Sequence, residues 1–329
     1  MARLPITIAT WDYDRVRPLM DGRVEVEGCD VNFLAMTVEE CFHRAYFHGE
    51  FDVAEIGLSP FLIALSRGIA PYVAVPAFVS RTFRHSAVYV RSDRGIDSPA
   101  DLRGKRIGVP EYQQSAALWV RGFLKDDFGI EAHDIHWVQG GLEQHGRKDK
   151  FPLNLPEGFP LTSASSSSLS ELLANGGLDA VISARAPSCL GKPGVPVKRL
   201  FEDYRAAEKE YFSRTGLFPL MHAVGVRKDM AEKHPWLAAS VYKAFAQAKR
   251  IADQELMEVT ALKIGLPWVT AELESTQKVM GEDFWPYGVA QNRKVLEAMT
   301  RYSFEQGLAV RKLSVDEIFA ASTLDDVHV

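Results

Sequence analysis

Cysteine is scarce in this chain of 329 residues, which carries only Cys29, Cys41 and Cys189. Three thiols, odd in number and widely spaced, argue against a disulfide framework and a closed cysteine metal site and leave buried, unpaired thiols as the expected state. Long apolar runs are missing too. Even Phe61 to Leu65 is soon followed by Arg67 and Gly68, so no membrane span is expected. Positive charge is not in surplus: 38 Lys and Arg stand against 43 Asp and Glu, a net charge of -5, and neither an RNA-binding motif nor a zinc-finger spacing occurs. A nucleic-acid partner is therefore not expected. There is no G-x-G-x-x-G or P-loop stretch for a nucleotide cofactor, no His-x-His pair or His-Glu-x-x-His helix for a metal, and no Gly-x-Ser-x-Gly elbow for a serine hydrolase. The reading is no cofactor and no metal. The amino terminus, MARLPITIATWDYD, runs directly into a strand without an apolar h-region or a cleavage pattern, and the expected location is the cytoplasm.

What is present is a long alternation of strands and helices. The 47% hydrophobic composition supports a large core, and the length suggests two domains. Pro5 to Thr10 reads as a strand opening into the polar and aromatic run Trp11 to Arg15, where α/β proteins place ligands. Val24 to Met36 suggests two short strands around Gly28. A helix follows from Val38 to about His48, a strand from Phe51 to Gly57, and a helix from Phe61 to Arg67 with Pro60 in its first turn. Tyr72 to Val79 is a strand in which Pro76 hints at an edge or a bend. Lys105 to Phe128 reads as strand, loop and helix, with Ser115 as N-cap, and points backbone N–H groups into the crevice at the strand's end. Leu178 to Ser183 is a strand that delivers Arg185 to its carboxyl end, and the last hundred or so residues are mostly helical.

Two polar interruptions, near Arg84 and near His222, divide this alternation. They imply an α/β architecture with a discontinuous first domain, residues 1–84 plus 222–329, an inserted second domain, residues 85–221, and a ligand cleft between them. The order resembles the type 2 periplasmic-binding-protein fold, whose second-domain entry motif looks like Asp101 to Pro110. Asp12 to Arg15, Phe83 to Ser86, Pro110 to Gln113, Gly140–Gly141, Phe218 to His222 and Trp285 to Gly288 together resemble the 4,5-dihydroxyphthalate decarboxylase family, nearly end to end. The stretch around Phe151 to Ser168 has no match. The resemblance implies a cofactor-independent carboxy-lyase acting on a hydroxylated aromatic dicarboxylate, 4,5-dihydroxyphthalate going to protocatechuate, with a homo-oligomer possible. The alternative reading is a non-catalytic binding protein for an aromatic acid or another small anion.

That chemistry needs a proton at the ring carbon bearing the carboxylate, a partner for the para hydroxyl, and cations for a carboxylate that stays behind. His85 and His222 fall on the two inferred crossovers and have the right residue type for proton transfer, although either could be a hydrogen-bonded structural histidine. Glu111 is a third candidate, as proton donor or as a group repelling the departing carboxylate, or else a solvated loop residue. Arg15 and Arg84, then Arg81 and Arg185, are candidates to clamp a carboxylate. Ser115 with the amides of Ala116 and Ala117 would supply neutral donors, Trp11, Tyr112 and Trp285 could stack on a ring, and Asp12 lies in the first loop as a ligand contact or a helix cap.

Overall fold

The computed structural model describes residues 2–147, 149–164 and 166–325. Its strands in chain order are β1 Leu4–Thr10, β2 Cys29–Ala35, β3 Val53–Gly57, β4 Tyr72–Arg81, β5 Val88–Arg91, β6 Arg106–Val109, β7 His136–Gln139, β8 Leu161–Ser163, β9 Ala180–Ile182, β10 Val197–Arg199 and β11 Leu220–Arg227. They form two sheets, each in its own compact unit.

Unit 1 comprises Met1–Arg81, Leu220–Glu297 and Leu313–Val329. Its sheet runs β2-β1-β3-β11-β4, and β11 is antiparallel to both of its neighbours while β1 is parallel to β2 and β3. Burial on both faces explains the apolar runs: Ile6, Ile8 and Ala9 of β1 are buried, as is every residue of β3. Pro76 lies on the edge strand β4, the one kind of strand that tolerates a missing N–H. A single strand stands where two were expected between Val24 and Met36. Val24 and Val26 are buried in an irregular segment, where the Val24 amide donates to the Pro18 carbonyl and the Cys29 amide to that of Val26, so no sheet partner remains for them. Pro60 sits in the first turn of helix Leu58–Ser66, where its missing N–H breaks no helical bond.

Unit 2 comprises Thr82–Pro219 and Ala298–Lys312. Its sheet runs β10-β5-β9-β6-β7-β8, with β6 parallel to β7 and β9. The units divide at residues 81/82 and 219/220, beside the expected borders near 84 and 222, and unit 2 also takes in Ala298–Lys312, a segment expected in the first domain. The reason is local packing against helix Ser115–Phe128. Gly122 on that helix faces the Tyr302 ring so closely that a Cβ would overlap it. The Tyr302 hydroxyl donates to Asp126 at 2.5 Å, Arg301 donates to the same carboxylate, and Arg121 Nε donates to Gln306 Oε1 at 2.7 Å. The helix itself begins at Ser115, with Gln114 in the cap position, so Ser115 is not the N-cap.

His85 lies in the core of unit 2. Its ring stacks on Phe123 at 4.5 Å and 4° and meets Phe201 and Tyr211 edge-on, and burial pushes its pKa down to about 4. The imidazole is thus packed among aromatic rings, and its burial favours the neutral form.

Two outcomes are expected from this packing. Gly122→Ala should lower unfolding stability by about 1–3 kcal/mol in a denaturant titration, because the added methyl must displace the Tyr302 ring. The depressed pKa of His85 means that the unfolded chain takes up a proton first, so stability is full above pH 6.5 and falls as pH drops toward about 4. Unfolding measured across that window should show a flatter slope in His85→Phe than in the parent chain.

Candidate active site

A glutamate at the centre of a five-residue strand buried on both faces is unusual, because an ionised carboxylate loses its hydration there and must be paired. Glu55 of β3 is such a residue, with no solvent exposure. Three donors converge on it. The Trp11 amide, just past the end of β1, reaches Oε2 at 2.9 Å. The Tyr13 hydroxyl reaches Oε1 at 2.7 Å, and His222 Nδ1 lies 2.6 Å from the same oxygen. Burial pushes the Glu55 pKa up, but bonding to His222, the Trp11 amide and Tyr13 outweighs it, so the group stays an anion with its pKa below the ordinary value.

The backbone explains how His222 reaches this carboxylate. On β11, His222 pairs with Gly57 of β3 and Val224 pairs with Glu55, so histidine and glutamate share one face of the sheet as diagonal neighbours. On the other side of β11, the pairing with β4 shifts register both before and after His222. Such irregularities bend a strand and re-aim a side chain. The imidazole meets the Phe42 ring edge-on at 4.8 Å and keeps 18% of its side-chain surface exposed. With Nδ1 turned to the carboxylate, Nε2 is the free face of the ring, and it has no hydrogen-bond partner among the described residues.

The Tyr13 hydroxyl is held neutral, since burial and then the adjacent Glu55 charge both raise its pKa, and it also bonds the Ser80 side chain. Arg15 caps the cluster: its guanidinium lies 4.2 Å from the Tyr13 ring centre and 4.3 Å from that of Trp285. Its Nε and Nη2 donate to the Val79 carbonyl and Nη1 to Asp14. Trp285 is fixed in turn by its indole N–H, which donates to the Phe78 carbonyl at 2.8 Å.

Of the residues singled out from sequence, unit 1 thus gathers His222, Arg15, Trp285 and the backbone of Trp11. The Trp11 ring is 42% exposed, and Asp12 is engaged by Arg17 through two hydrogen bonds. Arg81 is buried and ties down the loop after Trp285, donating to Asn292 Oδ1 at 2.9 Å and to the Pro286 carbonyl. The remaining candidates lie in unit 2. Arg84 is deeply set near Glu208, and burial pushes its pKa down to about 10. Arg185 is exposed on the loop after β9. Glu111 is buried and accepts from Arg147 at 2.6 Å and from Lys150 at 2.8 Å, so its oxygens serve as acceptors for two cations and it is poorly suited to donate a proton. Tyr112 has no exposure. Its ring is covered by Arg121 at 3.8 Å and touched by Trp137 and Phe159, which makes it a core residue and not a stacking platform. Ser115 and Ala116 are buried in the first turn of their helix.

Glu55 and the role of Tyr13 were missed from sequence. The signal was Glu55 as the single acid within the apolar run Val53 to Gly57, where burial obliges it to find partners. Among the described residues, no group of three or more His, Cys, Asp or Glu side chains gathers as a metal site.

The family model for the periplasmic substrate-binding protein of phosphonate ABC transporters matches residues 13–147. Two periplasmic sulfonate-binding proteins share the fold. That of Methylobacillus flagellatus is 17% identical with a TM-score of 0.56, covering 97% of this chain and 92% of its own. That of Escherichia coli is 14% identical with a TM-score of 0.53, covering 98% and 99%. At these identities they establish a periplasmic-binding-protein-like fold and nothing about the ligand. A 4,5-dihydroxyphthalate decarboxylase from Comamonas testosteroni is 46% identical over 330 residues, spanning all of both chains. One from Pseudomonas putida is 46% identical over 213 residues, covering 64% of this chain and 83% of its own. With nearly half of its residues shared along its whole length, the chain belongs to the 4,5-dihydroxyphthalate decarboxylase family.

Proposed function

We propose that this protein is a carboxy-lyase that converts 4,5-dihydroxyphthalate to protocatechuate and carbon dioxide, with His222 as the proton carrier. The observation that supports it is the 2.6 Å contact between His222 Nδ1 and the buried Glu55 carboxylate, in a member of this family. Protonated His222 gives its Nε2 proton to the ring carbon that bears the departing carboxylate, while the para hydroxyl loses its proton to solvent and supplies electron density to the ring. The carbon–carbon bond then breaks, its electron pair restores aromaticity, and carbon dioxide leaves. The phenol regains its proton from solvent, and the imidazole is reprotonated, so one proton is consumed per turnover.

Glu55 acts as a positioning residue. It fixes the Nδ1–H tautomer and balances the imidazolium charge, as a buried carboxylate does for a catalytic histidine generally. Arg15 suits the carboxylate that stays behind. The bonds to Val79 and Asp14 leave one N–H on each terminal nitrogen to donate to a carboxylate. The cytoplasm is the proposed compartment, and three free, buried cysteines fit a reducing environment. No helix among the described residues is long and apolar enough to cross a membrane.

Purified protein mixed with 4,5-dihydroxyphthalate should consume the substrate and release carbon dioxide in equal amounts. Saturable binding without product would instead assign the chain to solute binding. His222→Ala should lower kcat by about 10²–10⁴-fold with KM nearly unchanged, because the lost contribution is made in the transition state. Glu55→Gln should lower kcat by at least about 10-fold and displace the pH profile of kcat, since an amide cannot balance the imidazolium. Kinetics equal to the parent enzyme in both variants would remove the dyad from the mechanism.

A further inference from the structure

Tyr287 lies two residues after Trp285, on the loop that leads into helix Val289–Glu305 of unit 1. The residue is buried, with 9% of its surface exposed, yet its hydroxyl has no hydrogen-bond partner among the described residues. A buried hydroxyl ordinarily has one, because leaving it unpaired costs free energy. Its surroundings are firmly held. The Gly288 amide donates to the Pro76 carbonyl of β4 at 2.9 Å, and Asn292 Nδ2 donates to the carbonyls of Pro286 and Gly288 at 2.9 and 2.8 Å. Arg81 donates to Asn292 and to Pro286, and the Tyr287 ring meets Phe78 edge-on at 6.4 Å. Packing and backbone bonds fix the phenol, and no bond of its own does.

The hydroxyl belongs to the candidate active site. β4 makes the connection: it holds Arg15 through the Val79 carbonyl, Trp285 through the Phe78 carbonyl and Tyr287 through the Phe78 ring. Burial keeps the phenol neutral and able to donate, with its pKa pushed well above the ordinary value, and the charges that act on it are Arg15, then Asp253, Asp14 and Glu55. These acids have other donors. Asp14 accepts from Arg15 at 2.8 Å, Asp253 accepts from Lys249 at 2.6 Å, and Glu55 has the three described above.

We infer that the Tyr287 hydroxyl donates a hydrogen bond to the carboxylate that stays on the ring, beside the N–H groups of Arg15. The assignment rests on the proposed reaction and on Arg15 as the holder of that carboxylate. A carboxylate offers about four acceptor sites, and the two N–H groups left on Arg15 fill about half of them. A neutral hydroxyl adds a third bond without adding charge, and a bond to an ionised acceptor is a strong one. Tyr287 is thereby a specificity determinant. A ring that carries hydroxyls alone leaves this buried donor unpaired, so the site favours rings that bear a carboxylate.

Tyr287→Phe keeps the ring and breaks no hydrogen bond among the described residues, so a packing role predicts parent-like stability and kinetics. The inference expects unfolding in denaturant no easier than in the parent, with KM for 4,5-dihydroxyphthalate raised about 10–100-fold and kcat nearly unchanged. In binding titrations protocatechuate should lose the same factor, while catechol, which has no carboxylate, loses none. Parent-like KM and protocatechuate affinity in the variant, with the parent enzyme releasing carbon dioxide, overturn the inference and leave the decarboxylase reading standing. Loss of kcat at constant KM overturns it too. A parent protein that binds 4,5-dihydroxyphthalate without releasing carbon dioxide, and more weakly as Tyr287→Phe, supports the carboxylate contact and overturns the decarboxylase reading. Should Tyr287→Phe fail to fold, Tyr287→Met, which fills much of the same space without a hydroxyl, gives the same readings.

Discussion

The burial of one negative charge governs the first unit. Glu55 sits where a strand is covered on both faces, and a carboxylate there is tolerated only because an amide, a phenol and an imidazole all turn toward it. Two donors come from the loop after β1 and the third from β11, so the charge dictates the path of that loop and the aim of the histidine. Arg15 and Trp285 then pack around Tyr13, and the indole and guanidinium in turn anchor on carbonyls of β4.

Histidines show how the same residue type takes opposite roles. His85 is enclosed by Phe123, Phe201 and Tyr211, and the charges of Asp127, Glu210 and Arg214 do not offset its burial. His222 has a carboxylate on one nitrogen and retains solvent access on its ring. Both stand where the chain passes between units, so position along the sequence could not separate them. Their immediate neighbours do.

Much of the architecture was legible because strand and helix periodicities are local. Parallel strands buried on both faces appear as apolar runs, Pro76 marked an edge, and the helix of Lys105 to Phe128 was readable from its apolar spacing. What escaped depended on contacts between distant segments. The return of Ala298–Lys312 to unit 2 rests on Gly122 making room for Tyr302, and neither residue is distinctive alone. Glu111 and Tyr112 belong to a motif shared with the family, yet one is engaged by two cations and the other fills the core. The motifs contain Tyr13, Arg15, His222 and Trp285, which unit 1 brings together, but they could not supply Glu55, whose three partners are brought to it by folding.

The position of β11 carries a consequence for how the protein is made. It lies between β3 and β4 in the sheet, and Glu55 and His222 are 167 residues apart. During synthesis, β1 to β4 and the main segment of unit 2 leave the ribosome before the strand that fills the gap in the first sheet. Until β11 arrives, β3 has an open edge and carries a carboxylate that lacks its imidazole. The first sheet therefore cannot close early, and completion of its fold and pairing of the Glu55 carboxylate with His222 are one event.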